Sequence, residues 1–141
     1  MFRILLVEDN PGYISLTIES FKEWKIEHQL DVVEDGEEAM DFLKHRGKYI
    51  DAKYPDIILL DLNLPKKDGR DILKEIKNDP ILKRTPVIIL TTSIDDEDVV
   101  KAYDNHANCY IRKPVDLVGF LDVVKKTEDF WLSVSKLPPA S

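Results

Sequence analysis

Ile57-Ile58-Leu59-Leu60-Asp61 decides the fold. Its apolar residues leave no polar face, so the segment reads as a strand covered on both sides. It stops abruptly at a carboxylate. The same form recurs along the chain. Phe2 to Val7 is almost wholly apolar and stops at Glu8-Asp9-Asn10. Val87-Ile88-Ile89-Leu90 stops at Thr91-Thr92-Ser93, and Cys109-Tyr110-Ile111 stops at Arg112-Lys113-Pro114. Leu30, Val32 and Val33 suggest one more strand, before the turn-like Glu34-Asp35-Gly36.

Helical spacing fills the intervals. Ile14, Ile18 and Phe21 recur after Asn10-Pro11-Gly12, and Ala39, Met40 and Leu43 mark a second helix. Gly47 to Pro55 reads as a longish loop. Leu64-Pro65-Lys66-Lys67-Asp68-Gly69 has turn chemistry. Ile72, Leu73 and Ile76 form a third helix, which Asp79-Pro80 ends because the residue before proline disfavours helical backbone. Asp95 to Glu97 supply acids to the first turn of a fourth helix, where the helix dipole favours them. A long last helix is expected from about Val115 to Val134, with a loose tail around Leu137-Pro138-Pro139. Strand and helix alternate five times, which predicts an α/β fold with a parallel sheet and helices on both faces. Such folds bind ligands beyond the carboxyl ends of their strands.

Composition narrows the function. A length of 141 residues suits one domain, here expected to span residues 1–135 with a tail at 136–141 and no output domain. No apolar run approaches the roughly 20 residues a bilayer-spanning helix needs. Met1-Phe2-Arg3-Ile4 runs straight into a strand, so no signal peptide is expected. The single Cys109 excludes an internal disulfide. These features together predict a cytoplasmic protein. A net charge of −7 argues against direct binding to phosphate backbones. Cys109, His28, His45 and His106 have no metal-site spacing.

A parallel sheet would gather the residues that follow the strands: Glu8, Asp9, Asp61, Thr91, Thr92 and Lys113. Clustered carboxylates repel one another unless a cation lies between them, and hard oxygen ligands suit Mg²⁺. Lys113 adds a point positive charge for a phosphate oxygen, and the Thr91 hydroxyl can donate to another. Phosphoryl transfer depends mainly on such positioning and electrostatics, with Asp61 as the nucleophile. Singly, each residue has a plainer reading: a turn acid, a helix cap, a surface lysine. Their order on successive strand ends is what gives the set its specificity.

The chain resembles the response-regulator receiver family over about residues 2 to 130. The resemblance rests on Ile4-Leu5-Leu6-Val7-Glu8-Asp9, Ile58-Leu59-Leu60-Asp61-Leu62-Asn63-Leu64-Pro65, Asp68-Gly69, Leu90-Thr91-Thr92 and Tyr110-Ile111-Arg112-Lys113-Pro114. It implies a flavodoxin-like, doubly wound sheet of five strands with five helices. It implies that Asp61 is the phosphoacceptor and that Asp9 binds Mg²⁺ directly, with Glu8 acting through water. Asn63 would offer its backbone carbonyl to the metal. Thr91 would be the switch hydroxyl, Lys113 the phosphate-binding lysine, and Tyr110 the aromatic whose rotamer follows phosphorylation. Lys113-Pro114 would be a cis peptide bond. Lys66-Lys67-Asp68-Gly69-Arg70, Thr91-Thr92-Ser93 and Phe130-Trp131-Leu132-Ser133 are similar to the small regulators paired with bacterial phytochrome-type histidine kinases.

That implies a switch phosphorylated by a histidine kinase and signalling through the surface of its fourth helix, fifth strand and fifth helix. In the last helix, Leu117, Leu121 and Val124 can form a core stripe. Phe120, Val123, Thr127, Phe130 and Val134 form a neighbouring apolar stripe, which predicts a homodimer contact. The plainer alternative is a wide core face that buries both stripes. Other readings are a phosphorelay sink, a scaffold receiver independent of phosphorylation, and a phosphohydrolase using Asp61. The last would need an acid at position 63, where Asn63 stands.

Overall fold

The computed structural model describes residues 1–139, apart from the side chain of Val134. Strands β1 (Phe2–Val7), β2 (His28–Val33), β3 (Ile57–Leu60), β4 (Val87–Thr91) and β5 (Cys109–Arg112) form a single sheet. Its order is β2-β1-β3-β4-β5, and every pairing is parallel. The helices are α1 (Pro11–Lys22), α2 (Gly36–Leu43), α3 (Gly69–Asn78), α4 (Asp96–Asp104) and α5 (Leu117–Thr127).

Alternation along the strands divides the core. Leu5, Val7, Ile58, Leu60, Val87 and Ile89 pack with residues of α2, α3 and α4. Ile4, Leu6, Ile57, Leu59, Ile88 and Leu90 pack on the other face with α1 and α5. Burying one such side chain fully stabilises the fold by roughly 1.5–3 kcal/mol.

Each helix starts at a side-chain cap just beyond a strand or loop. The Asn10 carboxamide oxygen accepts from the N–H groups of Gly12 and Tyr13 at 2.9 and 3.2 Å, with Pro11 in the first turn. Asp35, Asp68, Asp95 and Asp116 cap α2 to α5 in the same way.

Five expectations change. The buried residues of α1 are Thr17, Ser20 and Phe21, while Ile14 and Ile18 are half-buried. The helix lies against α5 as well as the sheet, and small side chains fit that seam. The last helix is shorter than expected: α5 ends at Thr127 and a π-helical segment, Glu128–Val134, follows. After Thr127, Glu128 and Leu132 are buried.

Within α5, Phe120, Val124 and Thr127 are all buried, and Leu117, assigned to the core stripe, is 64% exposed. Phe130 is exposed. The stripe predicted to face a second copy is therefore largely core, and the side chain of Val134 lies outside the described residues. In the tail, Leu137 packs against the α1–α5 core cluster and is not loose, whereas Ala140 and Ser141 lie outside the described residues. Finally, Lys113-Pro114 is trans, the form that X–Pro bonds intrinsically prefer.

Candidate functional site

The register builds the site. Val7 pairs with Leu60, so the residues after β1 and β3 emerge side by side. The Asp61 N–H donates to the Val7 carbonyl at 3.0 Å, and the Glu8 N–H donates to that of Val33 at 3.0 Å. Strand order reverses between β1 and β3, the place where open α/β sheets leave a crevice. Thr91 pairs with Arg112, and the Lys113 N–H donates to the Thr91 carbonyl at 2.7 Å.

Carboxylate oxygens of Glu8, Asp9 and Asp61 all lie within 4.8 Å of one another. Glu8 and Asp61 are buried; Asp9 is exposed. Lys113 reaches in from β5, and its Nζ donates to Glu8 and, at 3.1 Å, to Asp61. The other Glu8 oxygen accepts from the N–H groups of Asp9 and Asn10 at 3.1 and 3.2 Å. Burial pushes the Glu8 carboxyl above its ordinary range; the Lys113 bond and charge pull against that, and the Asp61 charge adds to it.

The donor set fits a hard divalent cation. Three carboxylates converge, and exposed Asp9 leaves an open side for water ligands. Thr91 is fully buried, and its hydroxyl has no hydrogen-bond partner. Such an orphan costs about 1–3 kcal/mol, a cost that a group accepting from this hydroxyl would relieve.

The β3–α3 loop is held close by glycine. A Cβ on Gly69 would overlap the Asp61 carbonyl oxygen and stand 2.7 Å from the Leu62 Cα. Only glycine lets α3 begin directly against the backbone that carries Asp61. Exposed Asn63 donates its N–H to Asp61 Oδ1 at 3.3 Å. The exposed Thr92 has no hydrogen bond to the carboxylates among the described residues.

Tyr110 stands one step away. Its hydroxyl donates to the Ser93 carbonyl at 3.2 Å, and its N–H donates to the Tyr103 hydroxyl at 3.1 Å. The Ser93 hydroxyl donates to Asp98 at 2.7 Å. Arg70 grips Asp98 through Nε and Nη2, both at 2.9 Å, and Asp68 through Nη1 at 3.1 Å. That network ties the start of α3 to α4 and to the Tyr110 contact. Its Arg70–Asp98 pair was not foreseeable: the residues are 28 apart, with no periodicity joining them. Tyr13 also escaped the sequence reading. Its ring lies 4.3 Å from Lys113 Nζ and 4.7 Å from the Phe120 ring.

The sequence profile of the response regulator receiver domain matches residues 4–125. The chain belongs to the response-regulator receiver family. It is a flavodoxin-like receiver of two-component, phosphorylation-based signalling. Response regulator Rcp1 of Synechocystis sp. is 47% identical over 137 residues, covering 97% of this chain and 93% of that protein. A crystal structure of the Mn²⁺-bound form of Rcp1 superposes with a TM-score of 0.96 at 46% identity, covering 99% of this chain and 100% of that one. The phosphorylated cyanobacterial phytochrome response regulator RcpA gives a TM-score of 0.96 at 50% identity, covering 98% and 99%. Among the described residues no helix of this receiver is long and apolar enough to cross a membrane.

Proposed function

We propose that this receiver works in the cytoplasm and that Asp61 accepts a phosphoryl group from the phosphohistidine of a histidine kinase; Mg²⁺ would be held by Asp9 and Asp61, by Glu8 through water, and by the Asn63 backbone carbonyl. An Asp61 oxygen attacks phosphorus, a P–O bond forms, and the P–N bond breaks with its electron pair returning to the imidazole. The metal, when bound, neutralises charge on the phosphoryl oxygens. Lys113 turns from Glu8 to a phosphoryl oxygen, and the Thr91 hydroxyl donates to another. Tyr110 follows Thr91, and the surface of α4, β5 and α5 responds. The likeness to a phytochrome response regulator supports a phytochrome-type kinase as the donor.

One observation carries this reading. A buried ammonium bridges Glu8 and Asp61 beside a fully buried, unpartnered Thr91 hydroxyl. A phosphoryl group on Asp61 would find there, beside the metal, one positive charge and one uncommitted donor. Incubation with Mg²⁺ and acetyl phosphate, followed by intact mass, should show one added phosphate that Asp61→Asn abolishes. A wild-type chain that gains no mass from acetyl phosphate or a kinase overturns the reading.

The receiver unit is taken as residues 1–135. A homodimer through the last helix and β5 remains part of the proposal on altered grounds. Val115, Leu117 and Val118 are exposed near the start of α5, and Val100 and Tyr103 on α4. Sedimentation should show a dimer that weakens in Leu117→Glu; monomer with and without phosphoryl donor overturns it.

A further inference from the structure

We infer that Tyr13 is a positioning residue for Lys113, holding the ammonium on its ring face as Asp61 takes up the phosphoryl group. The inference rests on the roles of Asp61 and Lys113 proposed above. Lys113 Nζ lies 4.3 Å from the Tyr13 ring centroid, well inside the roughly 6 Å over which a ring face attracts a cation. The same Nζ donates to Glu8 and to Asp61. The lysine is thus enclosed by two carboxylates and an aromatic face.

The ring is itself fixed. It rests against fully buried Phe120 of α5 at 4.7 Å between centroids. The Tyr13 N–H is capped by Asn10 at 3.2 Å, and the Asn10 N–H donates to Glu8 at 3.2 Å. The turn that carries Glu8 and Asp9 therefore also sets the ring.

The two kinds of partner respond differently when Lys113 moves. A hydrogen bond to Glu8 is directional and is lost as the ammonium swings toward a phosphoryl oxygen. Attraction to the ring face is broad, so it persists through a small swing. With an aliphatic wall at position 13, the desolvated ammonium would lose that attraction between leaving Glu8 and reaching the phosphoryl oxygen. Lys113 would then stay on Glu8, and transfer to Asp61 would slow.

The test uses the full chain with Mg²⁺ and acetyl phosphate. In that reaction an Asp61 oxygen bonds to phosphorus, the bond between phosphorus and the acetyl oxygen breaks, and acetate leaves with the electron pair. Mass gain over time gives the rate. Tyr13→Phe should stay within about twofold of wild type, and Tyr13→Leu should be about fivefold slower. Phenylalanines of increasing fluorination at position 13 keep the ring's shape but weaken its negative face, and the rate should fall with each fluorine. A ring that serves only packing gives a flat series, which overturns the inference, as does a Leu variant at the wild-type rate. In the NMR spectrum, the Lys113 Cε protons should be shifted upfield by the ring in wild type and not in Tyr13→Leu; the same shift in both also overturns it. If wild type takes no phosphoryl group, the Asp61 reading fails and this one with it. If wild type labels and the fluorine series is flat, the role of Tyr13 alone fails.

Discussion

Two places in this receiver hold the same inventory, one cation between two carboxylates. Lys113 sits between Glu8 and Asp61, with side-chain exposures of 2%, 3% and 9%. Arg70 sits between Asp68 and Asp98, with exposures of 35%, 46% and 20%. Burial gives them opposite characters. At the first, lost hydration dominates and the Glu8 carboxyl is pushed up. At the second, the Arg70 and Ser93 hydrogen bonds dominate and hold the Asp98 carboxyl down at about 2. The side chains differ to match. A guanidinium fork locks onto Asp98 with parallel bonds, whereas an ammonium is a point charge on a flexible stem that can change partners. One triad clamps two helices; the other stores charge that a metal and a phosphoryl group can reorganise.

Removing the buried cation should have the largest effect. Lys113→Met leaves two buried carboxylates facing each other and should cost about 3 kcal/mol in urea denaturation. Added Mg²⁺ should recover part of that loss, because it replaces the missing charge. A variant as stable as wild type without metal would break the contrast. Next comes the spacer between the triads, since Gly69 lies between Asp68 and Arg70 and against the Asp61 backbone. Gly69→Ala should cost about 2 kcal/mol by overpacking and should slow Asp61 phosphorylation; an unchanged rate would show that the two triads are independent.

Asp98→Asn should cost only about 1 kcal/mol at neutral pH. The sign follows from the depressed pKa. The Asp98 contribution is full above its ordinary 3.8 and disappears as pH falls to about 2. The stability gap between wild type and variant should therefore close across that acid range. It should also shrink at about 1 M salt, where screening reaches to about 3 Å. At the small end, Lys126→Ala removes an exposed pair with Asp122 on α5. It should change stability by less than about 0.5 kcal/mol.

Much of the site was readable from the chain because strand ends are readable. Runs such as Ile57 to Leu60 announce themselves by having no polar face, and in a parallel sheet the next residue falls at one edge. Glu8, Asp9, Asp61, Thr91 and Lys113 were placed together by that reasoning. The last helix was not readable. Its apolar residues satisfy more than one stripe, and a π-turn after Thr127 changes the phase in a way no periodicity announces.

The sequence by itself determined the order of strands and helices along the chain and the edge at which the acids gather. Those depend on local polarity, turn chemistry and backbone sterics, which neighbouring residues carry. Only the tertiary structure decided which acids lose their water, that Lys113 lies on Glu8 and Asp61, that Tyr13 stands under it, and that Arg70 finds Asp98. These depend on which elements come to lie side by side. Asp61 and Lys113 are 52 residues apart, and desolvation acts on a charge only after distant segments have closed over it.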